Sequence, residues 1–382
     1  MSSQKQILII IESLFCGGAE KSLVSLLNDI KRDNFNINIK IIKQGGEFEG
    51  FLPKDISLEI IPRNLNSLRY IQAKIKFFLK RFKSSNIHPA QKFWNSYGST
   101  FPPLKKQYDL AIAYNQGFST YYVAEKVNAT CKIAWINTDY VNAGYKFKYD
   151  KKQYQKFNTV VCVSPNVADS FRSLLKKYEI GVPLSIIPDL VNEKLIKSLS
   201  EESVEDYNHS SYKILTIARL AKAKGIDMAI KAAKFLKNKG FDFNWTVVGD
   251  GPSRDQLQNM ISNNGLQEHF KLIGFRENPY PYLKKCDLYV QPSYFEGLGI
   301  SVIEAKMLAK PIIITNFAPA NFLLENKKNG IICEMDEEAL GKSIINLIEN
   351  PSISALFSSQ LSDWTYSENV SSIEKIQKIF TS

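Results

Sequence analysis

Ser293-Tyr294-Phe295-Glu296-Gly297-Leu298-Gly299-Ile300-Ser301-Val302-Ile303-Glu304-Ala305 is the stretch on which the reading of this chain turns. Just before it, Cys286-Asp287-Leu288-Tyr289-Val290-Gln291 is a short apolar run that stops at Pro292, the pattern of a buried strand. After Gly299, the apolar residues Ile300, Val302, Ile303, Ala305, Met307 and Leu308 follow the pattern of a helix packed on a sheet. The stretch is therefore a strand, a glycine-rich loop and a helix, with Glu296 in the loop and Glu304 inside the helix. A separation of eight residues is a little over two helical turns, which predicts the second carboxylate behind the first, facing the same crevice. In open α/β sheets ligands bind in the crevice at the carboxyl ends of the strands. Two carboxylates there accept hydrogen bonds from sugar or ribose hydroxyls, and loop amides meet a phosphate.

The same strand–helix alternation runs outward in both directions. In the first half, Gln6–Ile11, Ile37–Ile42, Asp109–Tyr114, Lys132–Trp135 and Thr159–Val163 read as strands, with helices at Glu20–Ile30, Ser119–Val127 and Pro165–Lys177. Leu195 to Ser211 is rich in Ser, Glu and Asn and reads as a linker with the first turn of a second domain. Alternation then restarts. Strands are expected at Lys213–Ile217, Asn244–Val248, Phe270–Ile273, Leu288–Gln291, Pro311–Thr315 and Gly330–Cys333, and helices at Gly225–Lys237, Ser253–Asn263 and Glu337–Glu349. Repeated βα units imply doubly wound parallel sheets. A length of 382 residues exceeds one ordinary core and agrees with two such domains.

Composition narrows the class. An apolar content of 44% is that of a globular chain, and no apolar run approaches the ~20 residues of a membrane span. Ile7–Ile11 lacks the basic flank and cleavage site of a signal peptide. Cys16, Cys131, Cys162, Cys286 and Cys333 are scattered and form no C-x-x-C, which fits reduced thiols in a cytosol. Residues 1–190 hold 27 basic and 15 acidic side chains, a net +12, whereas the remainder carries a net −1. So one-sided an excess points to a polyanionic partner. No acidic residue lies between Glu59 and Asp109. Within that stretch, Ser67–Lys83 repeats Leu68, Ile71, Ile75, Phe78, Leu79 and Phe82 at helical spacing, with Arg69, Lys76, Lys80, Arg81 and Lys83 among them. This basic amphipathic helix either packs its apolar face on its own domain or docks on an anionic bilayer. No nucleic-acid motif accompanies the basic excess, and nucleic acid is not expected as a partner.

Four loops carry candidate chemistry. Gly17-Gly18 separates the first strand from the first helix; it allows backbone to approach an anionic ligand, and a plain tight turn explains it equally well. It matches neither the dinucleotide fingerprint nor the P-loop pattern. Arg219 and Lys224, after the strand Lys213–Ile217, suit a diphosphate, while Lys222 reads as loop solvation. Gly249-Asp250-Gly251 permits close approach of a nucleotide, and Phe275 and Arg276 offer an edge for a base.

Together these elements resemble the family 4 retaining glycosyltransferases of the GT-B fold. The matches are Gly17-Gly18, Ala218-Arg219-Leu220 with Lys224-Gly225, Val248 to Pro252, Gly274-Phe275, and Pro292-Ser293 through Glu296-Gly297 to Glu304-Ala305. They are dense between 213 and 350, and thinner in the first half, where Val163-Ser164 and Ile187-Pro188 add to the glycine pair. The resemblance implies two Rossmann-like domains facing a central cleft. Residues 1–190 would form an acceptor-binding domain and 191–363 a nucleotide-sugar domain, with 364–382 crossing back onto the first. It implies that Arg219 and Lys224 neutralise the donor diphosphate, that Glu296 lies beside the hexose, that Gly297, Leu298 and Gly299 meet sugar and phosphate, that Glu304 binds ribose, and that Gly17 and Gly18 oppose the donor. The chemistry implied is metal-independent and needs no cofactor beyond the donor. Many relatives place a histidine near the reacting sugar. Here His88, His209 and His269 all fall elsewhere and read as surface residues, and Asn137 or Asp139 stands in its place. The expected activity is transfer of a hexose or N-acetylhexosamine from an NDP-sugar, UDP-linked, to a lipid-linked or polysaccharide acceptor in capsule, O-antigen or exopolysaccharide assembly. The expected location is the inner face of the plasma membrane, as a peripheral protein. The competing expectations are a GT-B epimerase or phosphorylase, and a non-catalytic sugar-nucleotide-binding subunit of a membrane assembly.

Overall fold

The computed structural model describes residues 4–15, 17–65, 68–83, 87–205, 207 and 211–381; Cys16 and His209 lie outside them. The chain forms two compact units. One runs to Leu190 and takes in the chain from Glu368 onward; the other is Val191–Ser367.

The first unit is built on seven strands: β1 (Lys5–Ile10), β2 (Phe35–Ile41), β3 (Ser57–Ile60), β4 (Gln107–Ala113), β5 (Asn128–Ile136), β6 (Thr159–Cys162) and β7 (Leu184–Ile186). They pair in the order β3-β2-β1-β4-β5-β6-β7, every pair parallel. The second unit has β8 (Tyr212–Ile217), β9 (Phe243–Val248), β10 (Phe270–Gly274), β11 (Leu288–Gln291), β12 (Ile312–Thr315) and β13 (Ile331–Cys333), ordered β10-β9-β8-β11-β12-β13 and again parallel throughout. A parallel sheet is covered by helices on both faces, so its central strands read as unbroken apolar runs. Ile7–Ile11 and Ile312–Ile314 are such runs, and none of these side chains reaches solvent.

The helix Pro165–Lys177 lies where the sequence places it because Ser164 accepts from Val167 N–H and Pro165 occupies the first turn. The reading of 195–211 as linker needs correction. Glu193–Ser200 is a helix whose first turn is capped by the Asn192 side chain, 2.9 Å from Leu195 N, and Ile196 is its buried anchor. Eight residues of mostly polar composition leave too short a periodic signal to register. The helix Glu368–Thr381 packs in the first unit. Phe380 meets Phe35 edge-on with ring centroids 5.5 Å apart, and Ser372 donates to Pro188 O. Trp364 lies in the second unit, with Lys306 Nζ 3.9 Å above its ring.

Two described histidines are not plain surface residues. His88 caps the helix Pro89–Tyr97 by accepting from Ala90 N–H and stacks on Tyr145 at 3.7 Å; burial pushes its pKa down to about 4, leaving it uncharged at neutral pH. His269 stacks on Phe243 at 5.1 Å.

The basic helix spans Leu68–Lys83. It does not bury the described part of the apolar stripe read from its periodicity; the side chains of Leu79 and Phe82 lie outside the described set. Tyr70, Ala73 and Phe77 hold it to the body, with Tyr70 and Phe77 packed against Tyr97, while Leu68, Ile71, Ile75 and Phe78 face solvent at 55–74% exposure. Arg69 and Lys76 are exposed beside that stripe. Lys80, Arg81 and Lys83 belong to the helix, but their side chains lie outside the described set. Among the described residues no helix is long and apolar enough to cross a membrane.

Candidate active site

Strand order reverses in the second unit between β8 and β11, which are neighbours with Leu288 opposite Ile214. The loops leaving these two strands therefore lie at the switch point of the sheet, where ligands of doubly wound sheets bind. The β8 loop ends in a short turn, Lys222–Lys224, closed by Gly225 at φ +63°. A Cβ on Gly225 would stand 1.8 Å from Pro292 O, so only glycine lets the β8 loop press against the β11 loop. Tyr294 N–H donates to Ala223 O across the same seam at 2.8 Å.

That close approach delivers Lys224 to Glu296. Lys224 Nζ lies 2.8 and 2.7 Å from the two carboxylate oxygens of Glu296. Ser293 Oγ donates to Oε1 of the same group at 2.7 Å and Gln291 Nε2 at 3.1 Å. Glu296 is 8% exposed, and three donors fix one buried carboxylate. Arg219, at the carboxyl end of β8, is exposed, and among the described residues no acceptor meets its guanidinium.

The relation between the two glutamates differs from the expected two helical turns. The helix is Ile300–Met307, entered through Gly299 at φ +90°. Glu296 to Gly299 is loop, and Glu304 is a single turn into the helix. Glu304 is 1% exposed and accepts from Tyr280 Oη at 3.0 Å. Both carboxylates bear on one phenol: burial first, then the charge of Glu304 and, further down, of Glu296, push Tyr289 well above its usual value. Leu298 is buried. A Cβ on Gly299 would fall 2.8 Å from Leu323 Cδ1.

The other glycine loop is pressed against the β8 loop. Cβ atoms on Gly249 and Gly251 would stand 2.0 Å from Ala218 O and 2.5 Å from Leu220 O. The space these glycines leave is filled by the β8 loop, to which they are joined by Leu220 N to Asp250 O and Ser253 N to Leu220 O. Their local demand for glycine comes from packing of loop on loop. Asp250 accepts from Gly251 N and pairs with Arg254 at 3.3 Å. Arg276 is turned onto its own loop, donating to Ile273 O at 2.7 Å and to Tyr282 Oη at 3.1 Å. Phe275 is half-buried beside it.

In the first unit Gly17 caps the helix that begins at Gly18, in extended backbone at φ −169°. Glu20 occupies the space above it, 2.2 Å from where a Cβ would be, so an acid of the chain itself already lies at this helix start. Asp139 is committed locally: Oδ1 accepts from Val141 N at 2.9 Å and Asn142 N at 2.8 Å, which makes it a turn-capping aspartate. Asn137 differs. Its backbone N–H donates to Gln116 Oε1, whereas both polar atoms of its side chain are enclosed without a hydrogen-bond partner among the described residues. A buried amide left open in this way suits a ligand or a water.

Asp189, after β7, is buried at 5% exposure, and burial raises its carboxyl to about 7 against the opposing bond from Ser22. A raised carboxyl pKa stabilises the fold below the unfolded value and loses that contribution as pH climbs through the folded one. Asp189→Asn, which cannot ionise, is therefore expected to gain on the natural chain by roughly 2 to 3 kcal/mol between pH 5 and pH 8. Denaturant melts at the two pH values measure this; an equal difference at both would remove the assignment.

Three residues of the site were not singled out in the sequence: Tyr289, Gln291 and Ser293. Their spacing of two along a strand and its extension, which sends alternate side chains to one face, was the available signal.

Two doubly wound, parallel-sheet Rossmann-like domains make this a GT-B fold, and the comparisons agree. HepE of Anabaena, solved with UDP and glucose, superposes with a TM-score of 0.71 at 18% identity, covering 99% of this chain and 100% of that one. WaaG, described as a glycosyltransferase involved in lipopolysaccharide biosynthesis, superposes at 0.64 with 14% identity, covering 98% and 99%. Residues 198–362, which lie within the second unit, match the model of the family Glycosyl transferases group 1. The chain is 30% identical over 173 residues to the amylovoran biosynthesis glycosyltransferase AmsK of Erwinia amylovora, covering 43% of this chain and 40% of AmsK. It is 28% identical over 177 residues to a Campylobacter jejuni 4-alpha-N-acetylgalactosaminyltransferase acting on a diphospho-undecaprenol-linked sugar, covering 46% and 47%. The chain thus spans about half the length of the curated relatives it matches.

Proposed function

We propose that the chain is a retaining glycosyltransferase. It moves a hexose or N-acetylhexosamine from a nucleoside diphosphate sugar, UDP-linked, to a lipid-linked or polysaccharide acceptor in surface glycan synthesis. The observation that carries this reading is the Lys224–Glu296 pair together with Arg219, which follows the same strand β8 and meets no acceptor among the described residues. A diphosphate supplies the anion that Arg219 lacks among the described residues, and a sugar supplies hydroxyls for the carboxylate. Arg219 and Lys224 offset the charge that grows on the departing diphosphate, so this reading routes no step through a metal ion or other cofactor. Glu304 serves the ribose, Gly297 to Gly299 the sugar and phosphate, and the open Asn137 amide a hydroxyl at the first unit. HepE's UDP and glucose and the names of the relatives support donor and acceptor class. Incubating the protein with UDP-sugars and lipid-linked acceptors tests it: anomer-retained product is expected. Conversion of donor without acceptor, or no turnover of any nucleotide sugar, would sink it.

The exposed stripe of the helix Leu68–Lys83 supports a peripheral position on an anionic membrane at the cytoplasmic face. Leu68, Ile71, Ile75 and Phe78 would enter the acyl boundary while Arg69 and Lys76 meet phosphates. Replacing Ile71 and Phe78 together by serine is expected to lower partition onto phosphatidylglycerol vesicles by roughly tenfold or more, from the loss of buried apolar area. Flotation measures this; unchanged partition would remove the helix from the interface.

A further inference from the structure

Glu296 is aimed by a chain of hydrogen bonds that begins at Tyr289 in β11. Tyr289 Oη donates to Gln291 Oε1 at 2.5 Å. The carboxylate of Glu296 can only accept, so it is Gln291 Nε2 that faces it, 3.1 Å from Oε1 and 2.8 Å from Ser293 Oγ, which leaves Gln291 Oε1 to accept from the phenol. Ser293 accepts from Gln291 and passes its own proton donation to Glu296 Oε1 at 2.7 Å. Tyr289, Gln291 and Ser293 are all essentially inaccessible to solvent. The backbone beneath them is held as well: Thr315 Oγ1 donates to Ser293 O at 2.5 Å and Thr216 Oγ1 to Val290 O at 2.7 Å.

We infer that Tyr289, Gln291 and Ser293 are positioning residues for the reacting-sugar contact, setting the angle of the Glu296 carboxylate through a relay whose last two donors, the Gln291 amide and the Ser293 hydroxyl, both end on Oε1. First, Lys224 reaches both oxygens of Glu296, so the ammonium alone leaves the carboxylate free to rotate about it. Second, the two further donors converge on Oε1 only, which breaks that equivalence and leaves Oε2 as the oxygen with capacity for an outside hydroxyl. Third, a buried relay is rigid only when each member is satisfied, and removal of the phenol hydroxyl takes the Tyr289 donor from buried Gln291 Oε1, which loosens the amide that bears on Glu296. Productive geometry at a reacting centre tolerates little displacement. The relay therefore acts on the chemistry without touching donor or acceptor.

This inference rests on the glycosyltransferase reading. The experiment uses the full chain and compares Tyr289→Phe, Ser293→Ala and Ser293→Thr with the natural protein. For each, kcat, the KM for a UDP-sugar and the affinity for UDP alone are measured. UDP lacks the sugar and so reports whether the site still folds. The expected result is at least a tenfold fall of kcat in Tyr289→Phe and Ser293→Ala, UDP affinity within twofold, and a lower ratio of UDP-sugar to UDP affinity. Ser293→Thr, which keeps the hydroxyl, recovers most of kcat. Natural kcat in both Tyr289→Phe and Ser293→Ala overturns the relay while leaving the transferase reading intact. Equal losses of kcat and UDP affinity also overturn it, because they describe a general structural lesion. A natural chain that neither binds nor turns over any nucleotide sugar removes the reading and the inference with it.

Discussion

Lys224→Ala is expected to lower transfer by roughly two to three orders of magnitude and to weaken the fold at the same time. The two effects have separate causes. In the reading proposed here the ammonium faces charge that grows as the diphosphate departs, so its removal raises the barrier. It is also the counter-charge for Glu296, which is enclosed at 8% exposure and would keep only its bonds from Ser293 and Gln291. Removing one member of a buried pair leaves an uncompensated charge, and a loss of about 1 to 3 kcal/mol is expected here, because Lys224 itself is partly open to water. Lys224→Ala combined with Glu296→Gln separates the causes. Stability should return toward that of the natural chain once the stranded charge is gone, and transfer should stay lost. Denaturant melts read the first quantity and initial rates the second. A double variant that regains activity would show that Lys224 serves only to neutralise Glu296.

Arg219→Ala is expected to behave in the opposite way. The guanidinium is exposed and holds no protein acceptor, so its removal should change stability by no more than about 0.5 kcal/mol. Donor affinity should nevertheless fall by roughly 10- to 100-fold, the worth of one or two charge-assisted hydrogen bonds to a diphosphate. Added salt should weaken binding by the natural chain more steeply than by the variant, because an exposed ionic contact is screened. Calorimetry with a UDP-sugar at two ionic strengths reads both predictions. Full activity in Arg219→Ala would remove the diphosphate from this end of β8. The contrast with Lys224 is informative: two neighbouring cations of one loop differ in whether the protein or the ligand supplies the counter-charge.

Much of the architecture was legible in the residues because it depends on local physics. Ile7–Ile11 and Ile312–Ile314 can only be strands buried on both faces, and Ser164-Pro165 can only open a helix. Short elements failed where pattern length failed: β3 and the helix Pro89–Tyr97 are too brief to give a period, and Glu193–Ser200 was hidden by its polar composition. The helix Leu68–Lys83 was read correctly as amphipathic, but periodicity states only that one face is apolar. It does not state which face the body covers. Here Tyr70 and Phe77 find Tyr97, and the longer aliphatic stripe is left outward.

By itself, the amino-acid order determined that two βα-alternating domains form, that Glu296 sits in a loop and Glu304 in a helix, and that Arg219 and Lys224 follow a strand. Each is a statement about neighbours along the chain. Tertiary structure alone decided that β8 lies beside β11, that Gly225 yields room for Pro292 O, that Lys224 is spent on Glu296 while Arg219 is not, and that Gly249 and Gly251 serve packing of one loop on another. The reason is physical: hydrogen-bonded strand order and the close approach of two backbones are set by which pairing buries the most surface with every polar group satisfied. No window along one segment contains that comparison.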